Sequence, residues 1–197
     1  MAEKPKRRLV VAAFMTLDGV VQAPGAPDED TEGGFKHGGW QEPYFDEVGD
    51  RAVQETMAAA DALLLGRKTY DIFARYWPTA KNPFAPIMNG FKKHVASRTR
   101  DRVDWQSSFL IKGDVAPEIA KLKEQDGKNL LVFGSGTLVQ TLLRHELVDE
   151  LLLVIHPLII GSGKRLFREE YRRRPFQLFD SKPTPKGALI TRYRAAS

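Results

Sequence analysis

The sequence contains no cysteine. That removes disulfides, thiolate metal sites, iron–sulfur clusters and a cysteine nucleophile in one step. Histidine is scarce too. His37, His94, His145 and His156 stand far apart with no metal-ligand spacing, so no metal site is expected. No apolar run approaches the ~20 residues that a membrane-spanning helix needs, and neither internal repeats nor low-complexity tracts are present. The lead-in Lys4 to Arg8 followed by Leu9 to Met15 has the outline of a signal peptide, but the run is short and is broken at once by Thr16 and Asp18. The expectation is a cytoplasmic protein, with residues 1–6 a frayed basic lead-in and residues 7–197 a single domain.

The charge surplus is small and local. The 197 residues hold 30 Lys and Arg against 25 Asp and Glu, a net of +5. Lys4, Lys6, Arg7 and Arg8 form one cluster. Lys164, Arg165, Arg168, Arg172, Arg173 and Arg174 form the other. Outside both clusters, with their neighbours Glu3, Glu169 and Glu170, 20 basic residues face 22 acidic ones. Only Tyr171 offers a stacking ring among these cations, so a nucleic-acid partner is not expected.

What is present is an alternation of short apolar runs and amphipathic stretches. Leu9–Met15, Ala62–Leu65, His94–Ser97, Ser108–Ile111, Asn129–Phe133 and Val148–His156 read as strands, several apolar on both faces. Helices are predicted over Tyr44–Ala60, Thr69–Tyr76, Val115–Glu124 and Thr137–His145. Residues 16–43 form a long polar, glycine-rich connection of the kind that is usually functional, here a candidate lid. Pro78, Pro83 and Pro86 mark a second irregular stretch. Phe176–Ser181 and Ala188–Tyr193 flank a proline- and glycine-containing turn, an antiparallel hairpin. The sum is an α/β three-layer domain with a mixed sheet.

Two segments share one design. Leu63 to Tyr70 and Leu131 to Leu138 each run strand, glycine turn, helix. Such a turn offers unpaired N–H groups and the positive end of a helix dipole to an anion. Arg67, Lys68 and Thr69 add side-chain donors to the first; Gly134 and Gly136 allow close approach in the second. Two such turns suit a ligand with more than one phosphate, such as a dinucleotide. The familiar fingerprints fail: Val139 replaces the third Rossmann glycine, and Leu158 and Arg165 spoil the P-loop that Gly161-Ser162-Gly163-Lys164 suggests. Gly134-Ser135-Gly136 also lacks the frame of a nucleophile elbow.

Thr16-Leu17-Asp18-Gly19, Gly66-Arg67-Lys68-Thr69-Tyr70, Gly134-Ser135-Gly136-Thr137-Leu138 and Val148-Asp149-Glu150-Leu151 leading to Pro157–Gly161 occur in that order. Together they resemble the C-terminal reductase domain of the bifunctional riboflavin-biosynthesis deaminase–reductase, within the dihydrofolate-reductase-like superfamily. The resemblance spans about residues 7 to 194. It implies a dihydrofolate-reductase-like fold with a mixed, mostly parallel central sheet ending in an antiparallel hairpin. It further implies NADPH as cofactor, a small pteridine, pyrimidine or related heterocycle as substrate, and a homodimer, with the apolar 148–160 segment a candidate for the interface.

Carried over by position, Gly66, Arg67, Lys68 and Thr69 match the cofactor-phosphate motif. Ser97 and Arg98 match the strand end on the adenine side, where an arginine can meet the 2′-phosphate. Gly134, Ser135, Gly136 and Thr137 match the glycine turn against pyrophosphate and nicotinamide. Asp18 matches an aspartate beside the substrate. The proton-delivering carboxylate of dihydrofolate reductases lies sixteen positions before the Gly-Arg glycine, which here is Asp50, with Asp46 and Glu47 as neighbours that an insertion would select. Trp40, Tyr44 and Phe45 fit either an aromatic wall for a planar ring or a staple for the helix. Phe133 stands where riboflavin reductases carry a glutamate, and no zinc deaminase domain is expected within these 197 residues. Two alternatives stay open: a non-catalytic nucleotide-binding protein on the same fold, and a 5-amino-6-(5-phosphoribosylamino)uracil reductase despite Phe133.

Overall fold

Alternate residues of β1 (Leu9–Thr16) point to opposite sides of a sheet, and both sides are apolar, so the strand is stable only with helices on each face. The computed structural model describes residues 6–167 and 173–196 and has this arrangement. Around β1 lie β2 (Ala60–Gly66), β3 (Lys92–Ala96), β4 (Ser108–Ile111), β5 (Asn129–Phe133), β6 (Glu150–His156), β7 (Phe176–Pro183) and β8 (Leu189–Ala195). They form one eight-stranded sheet in the order β4-β3-β2-β5-β1-β6-β8-β7. The first six are parallel; β8 runs antiparallel to β6, and β7 antiparallel to β8.

Helices α1 (Glu47–Ala58), α2 (Arg67–Tyr76) and α3 (Ala85–Gly90) cover one face; α4 (Val115–Glu124) and α5 (Gly136–Arg144) cover the other. Val10, Leu63, Leu65, Leu131 and Leu152 meet Val53, Met57, Tyr70 and Met88 on the first side. Leu9, Val11, Leu64, Leu130 and Val132 meet Ile119, Leu122, Val139 and Leu142 on the second. Burying each such aliphatic side chain stabilises the fold by about 1.5–3 kcal/mol.

Two expectations need correction. The first helix starts at Glu47 rather than Tyr44, because the Asp46 carboxylate accepts from Gly49 N and caps it; Glu42–Tyr44 is a separate 3-10 turn. Pro86 is not a mark of irregular chain but sits in the first turn of α3, where proline needs no N–H partner. Residues 16–43 carry a small core of their own, Val20, Ala23, Phe35 and Trp40. Within the 148–160 segment, β6 is sandwiched between β1 and β8 with most side chains buried, while Pro157 and Ile159 beyond it are exposed. Of the basic cluster near the C-terminus, Arg168 and Arg172 lie outside the described residues, as does Lys4 of the N-terminal one.

Candidate active site

Parallel strands bring β2 and β5 side by side, so their following turns meet at one sheet edge. The helices they start leave on opposite faces, which puts the N-termini of α2 and α5 against each other. The junction is bonded both ways. Gly66 N donates to Ser135 Oγ at 2.9 Å, and Ser135 N donates to Thr69 Oγ1 at 2.9 Å. Ser135 is left-handed (φ 59°), as is Gly134 (φ 58°); a Cβ at Gly134 would lie 3.5 Å from Thr69 Cγ2. Ser135 and Thr69 therefore hold the two turns together with the hydroxyls that the sequence offered to a cofactor.

Neither helix start has a side-chain cap. Their first-turn N–H groups, those of Arg67, Lys68, Thr69, Gly136 and Thr137 among them, have no i−4 carbonyl to reach and stay available to an anion. A Cβ at Gly136 would meet nothing within 4 Å, so the second turn opens on free space. The side-chain cations differ. Arg67 pairs with Asp71 at 3.0 Å, and Asp71 also takes Arg100 at 2.6 Å. Lys68 pairs with Glu32, and Lys68 with Lys164 holds that carboxyl down at about 2. Ser97, at the end of β3, is buried and caps the next turn, its Oγ accepting from Thr99 N at 3.3 Å and Arg100 N at 3.0 Å. Arg98 on that turn is exposed and, among the described residues, has no ion-pair partner.

The carboxylates separate just as clearly. α1 runs antiparallel to the strands, so its N-terminus stands over the same edge. Asp46 is spent on its cap and on Lys186 N at 3.3 Å; burial pushes its carboxyl up, but bonds from Gly49 N, the Thr184 hydroxyl and Lys186 N hold it below the ordinary value. Asp50, one turn on, is half-buried, and no described residue bonds to it. Burial first, then the charges of Asp46 and Glu47, push its carboxyl up. Asp18 is the reverse. Thr16 Oγ1 donates to it at 2.6 Å, Gly161 N at 2.9 Å and Ile160 N at 3.2 Å, with Arg165 at 3.4 Å. The Thr16 hydroxyl, against a smaller effect of burial and with the two amides, holds it at about 2. Asp18 thereby fastens the end of β1 to the loop after β6.

Trp40 is buried, and its Nε1 donates to Gln22 O at 2.8 Å. Its ring stands edge-on to His156, centroids 5.2 Å apart, and Tyr44 does the same at 5.6 Å. Trp40 packs with Val20, Ala23 and Phe35 in the small core of residues 16–43, and Phe45 remains exposed. Phe133 is buried on the α1–α2 side of the sheet.

Two residues escaped sequence reasoning. His156 closes β6 opposite Thr16, inside the ring edges of Phe14, Trp40 and Tyr44. Burial pushes it down, and Nδ1 faces the Val154 and Met15 carbonyls, which makes Nδ1 the protonated nitrogen. Lys93 is wholly buried in β3, donating to the carbonyls of Asn89, Phe91 and Gln106, with Nζ 4.2 Å from the Trp105 ring centroid. Desolvation pushes it down to about 8. Strand alternation did contain that signal, because Val95 faces inward and Lys93 shares its side.

The comparisons with known proteins agree with this fold. A family model, the RibD C-terminal domain, matches residues 7–190. The chain belongs to that family. The Bacillus subtilis protein YyaP is 28% identical over 189 residues, 93% of each chain. A crystal structure of a putative riboflavin biosynthesis protein from Shewanella superposes with a TM-score of 0.73 at 25% identity, covering 96% of this chain and 99% of that one. A dihydrofolate reductase from Enterococcus faecalis, complexed with NADP(H), shares the fold with a TM-score of 0.63 at 14% identity, covering 96% and 97%. This RibD C-terminal domain is thus an α/β reductase-type fold of the dihydrofolate-reductase kind. No helix among its described residues is long and apolar enough to cross a membrane.

Proposed function

We propose that the protein is an NADPH-dependent reductase of a small planar heterocycle, a pteridine, a pyrimidine or a related ring, acting in the cytoplasm as a homodimer. The observation that carries the proposal is the pair of uncapped helix N-termini joined through Ser135 and Thr69. Rigid donors of this kind suit the two phosphates of a dinucleotide, and the open space at Gly136 leaves room for the backbone to be approached. Arg98, uncommitted at the end of β3, is the cation for a 2′-phosphate.

NADPH, when bound, supplies the hydride. The chain supplies the rest. The first turns of α2 and α5 orient the phosphates, and Gly134 and Gly136 let the ring-bearing half lie against the strand ends. Asp50 holds a proton for the substrate atom that becomes basic on reduction; its raised affinity for that proton fits the task. Asp18 positions the loops rather than donating, since its hydrogen bonds favour the ionised form. Phe133 gives the substrate side an apolar wall in place of a hydrogen-bond acceptor, which favours a ring other than the ribosylaminouracil of riboflavin synthesis. Self-association, if it follows the family resemblance, needs a surface other than β6; Leu178 and Phe179, exposed on edge strand β7, offer one.

The test is a titration with NADPH and NADH, followed by a turnover panel of pteridines, pyrimidines and flavins read by nicotinamide absorbance. NADPH is expected to bind about tenfold more tightly than NADH, and Arg98→Ala to remove most of that preference, the size of one charge-assisted contact. Failure to bind NADPH overturns the reductase reading. Binding without oxidation across the panel leaves the non-catalytic nucleotide-binding alternative.

A further inference from the structure

A chain of alternating charges ties the β1–α1 connection to the start of α2. Lys68, the second residue of α2, pairs with Glu32. Glu32 also takes Lys164 at 2.5 Å, and Lys164 pairs with Asp30 at 2.5 Å. The two ends of this chain differ in exposure. Lys68 and Glu32 side chains are 54% and 52% exposed, whereas Lys164 and Asp30 are 31% and 24% exposed.

The connection itself is packed from within. Gln22 is buried at its centre, its amide donating to the carbonyls of Asp30 and Glu32 and accepting from Lys164 N at 3.0 Å. Trp40 and Phe35 close its small core. Glu32, by contrast, lies on an exposed 3-10 turn, Glu32–Gly34. The link to Lys68 is therefore peripheral to the loop and can break without unmaking its interior.

We propose that the Glu32 carboxylate stands at Lys68 in the place of a ligand phosphate, so that an incoming phosphoryl group must displace it and, in doing so, releases the 24–38 segment from α2. The inference rests on α2 being a phosphate site. A phosphate carries more charge and more acceptor oxygens than a carboxylate, and the first-turn N–H groups of α2 reach it as well as the ammonium does. Glu32 keeps Lys164 after the exchange, so no charge is left without a counterion. Glu32 is in this way a specificity-determining residue. It lowers the affinity of Lys68 for weakly charged ligands and reports phosphate binding to the loop.

The experiment compares wild type with Glu32→Gln, using NADPH and inorganic pyrophosphate as probes at low ionic strength, where exposed charges are least screened. Nicotinamide fluorescence gives the NADPH Kd, and the rate of tryptic cleavage after Lys36, an exposed residue of the segment, reads its release. Glu32→Gln is expected to bind NADPH about two- to fivefold more tightly, the size of one exposed ion pair. Cleavage after Lys36 should be faster in this variant without ligand, and either probe should speed it in wild type only. Asp30→Asn, which leaves the Lys68 contact in place, should keep wild-type NADPH affinity and guards against a general loosening of the loop.

Equal NADPH affinity in wild type and Glu32→Gln, with cleavage indifferent to both probes, overturns the displacement while leaving the reductase proposal standing. The converse is also readable. If NADPH fails to bind but pyrophosphate speeds cleavage in wild type alone, the displacement stands and the cofactor reading falls.

Discussion

The corner around Asp18 and the corner around Asp50 stand on the same edge of the sheet and are built in opposite ways. At Asp18 a hydroxyl, two backbone amides and a guanidinium converge on one carboxylate. At Asp50 the neighbours are two more carboxylates, and no described residue donates a hydrogen bond. One carboxyl is held at about 2, the other is pushed up. A carboxylate that is already satisfied gains little from a proton; one that is crowded by like charge and half-buried gains a good deal. On the reading proposed above, chemistry that needs a proton falls to Asp50, and Asp18 to the scaffold that holds two loops in register.

The strongest test of this contrast is Asp50→Asn. Turnover with NADPH is expected to fall by about a hundredfold or more, the scale of general-acid catalysis, while NADPH affinity stays within about twofold. The pH profile has a definite sign. If protonated Asp50 is the donor, wild-type turnover falls as pH rises through its pKa, which lies above the ordinary carboxylate value, and the variant loses that limb. Stability follows the same direction: a carboxyl whose folded pKa is raised contributes stability at low pH that is lost as pH climbs through it. Asp50→Asn should therefore raise the melting temperature at neutral pH while abolishing most activity. An active, unstabilised Asp50→Asn protein would reverse the assignment.

Asp18→Asn probes the other corner and should show the mirror image. Losing charge from a carboxylate that accepts several hydrogen bonds is expected to cost about 1–3 kcal/mol, read by urea unfolding, with a much smaller loss in turnover than at Asp50. Because the folded pKa of Asp18 is depressed to about 2, its contribution is present above the unfolded value near 3.8 and lost as pH falls between the two. The stability difference between wild type and variant should accordingly shrink between those values. A stable variant that has lost turnover would move Asp18 back into the chemistry.

This contrast was only half legible in the sequence. The strands were readable because buried parallel strands leave continuous apolar runs, as in Leu130-Leu131-Val132-Phe133, and the two glycine turns were readable as strand–turn–helix junctions. Asp50 follows from the resemblance, which places it sixteen positions before Gly66 across α1 and β2, a local spacing that a sequence preserves. The Thr16 hydroxyl that does most to hold Asp18 down is only two residues away, but the amides that tie it to the loop after β6 lie 142 and 143 residues on at Ile160 and Gly161, and no local pattern carries a contact at that separation. The bond from Ser135 N to Thr69 Oγ1, across 66 residues, and that from Gly66 N to Ser135 Oγ, across 69, are hidden for the same reason; in both the hydroxyl oxygen accepts, so each hydroxyl keeps its own proton to donate. The start of α1 is hidden for a local reason: Phe45 extends the apolar stripe of Val48, Ala52, Val53 and Met57 toward the N-terminus, although Asp46 three residues before Gly49 is the stronger signal for where a helix begins.

The smallest expected effect is the most discriminating about how the Asp18 corner works. Thr16 is fully buried, and its Oγ1 both donates to Asp18 and accepts from Val20 N at 3.0 Å. Thr16→Val keeps the shape and removes both bonds, for an expected loss of about 1 kcal/mol; Thr16→Ser keeps both and should cost less. If the hydroxyl acts mainly by orienting the Asp18 carboxylate, Thr16→Val and Asp18→Asn will be non-additive, since each removes the same bond. Unfolding free energies of the two single variants and the double variant measure that coupling. Strict additivity would mean that Thr16 serves the Val20 amide and leaves Asp18 to the loop after β6, and the corner would then be two independent fastenings rather than one.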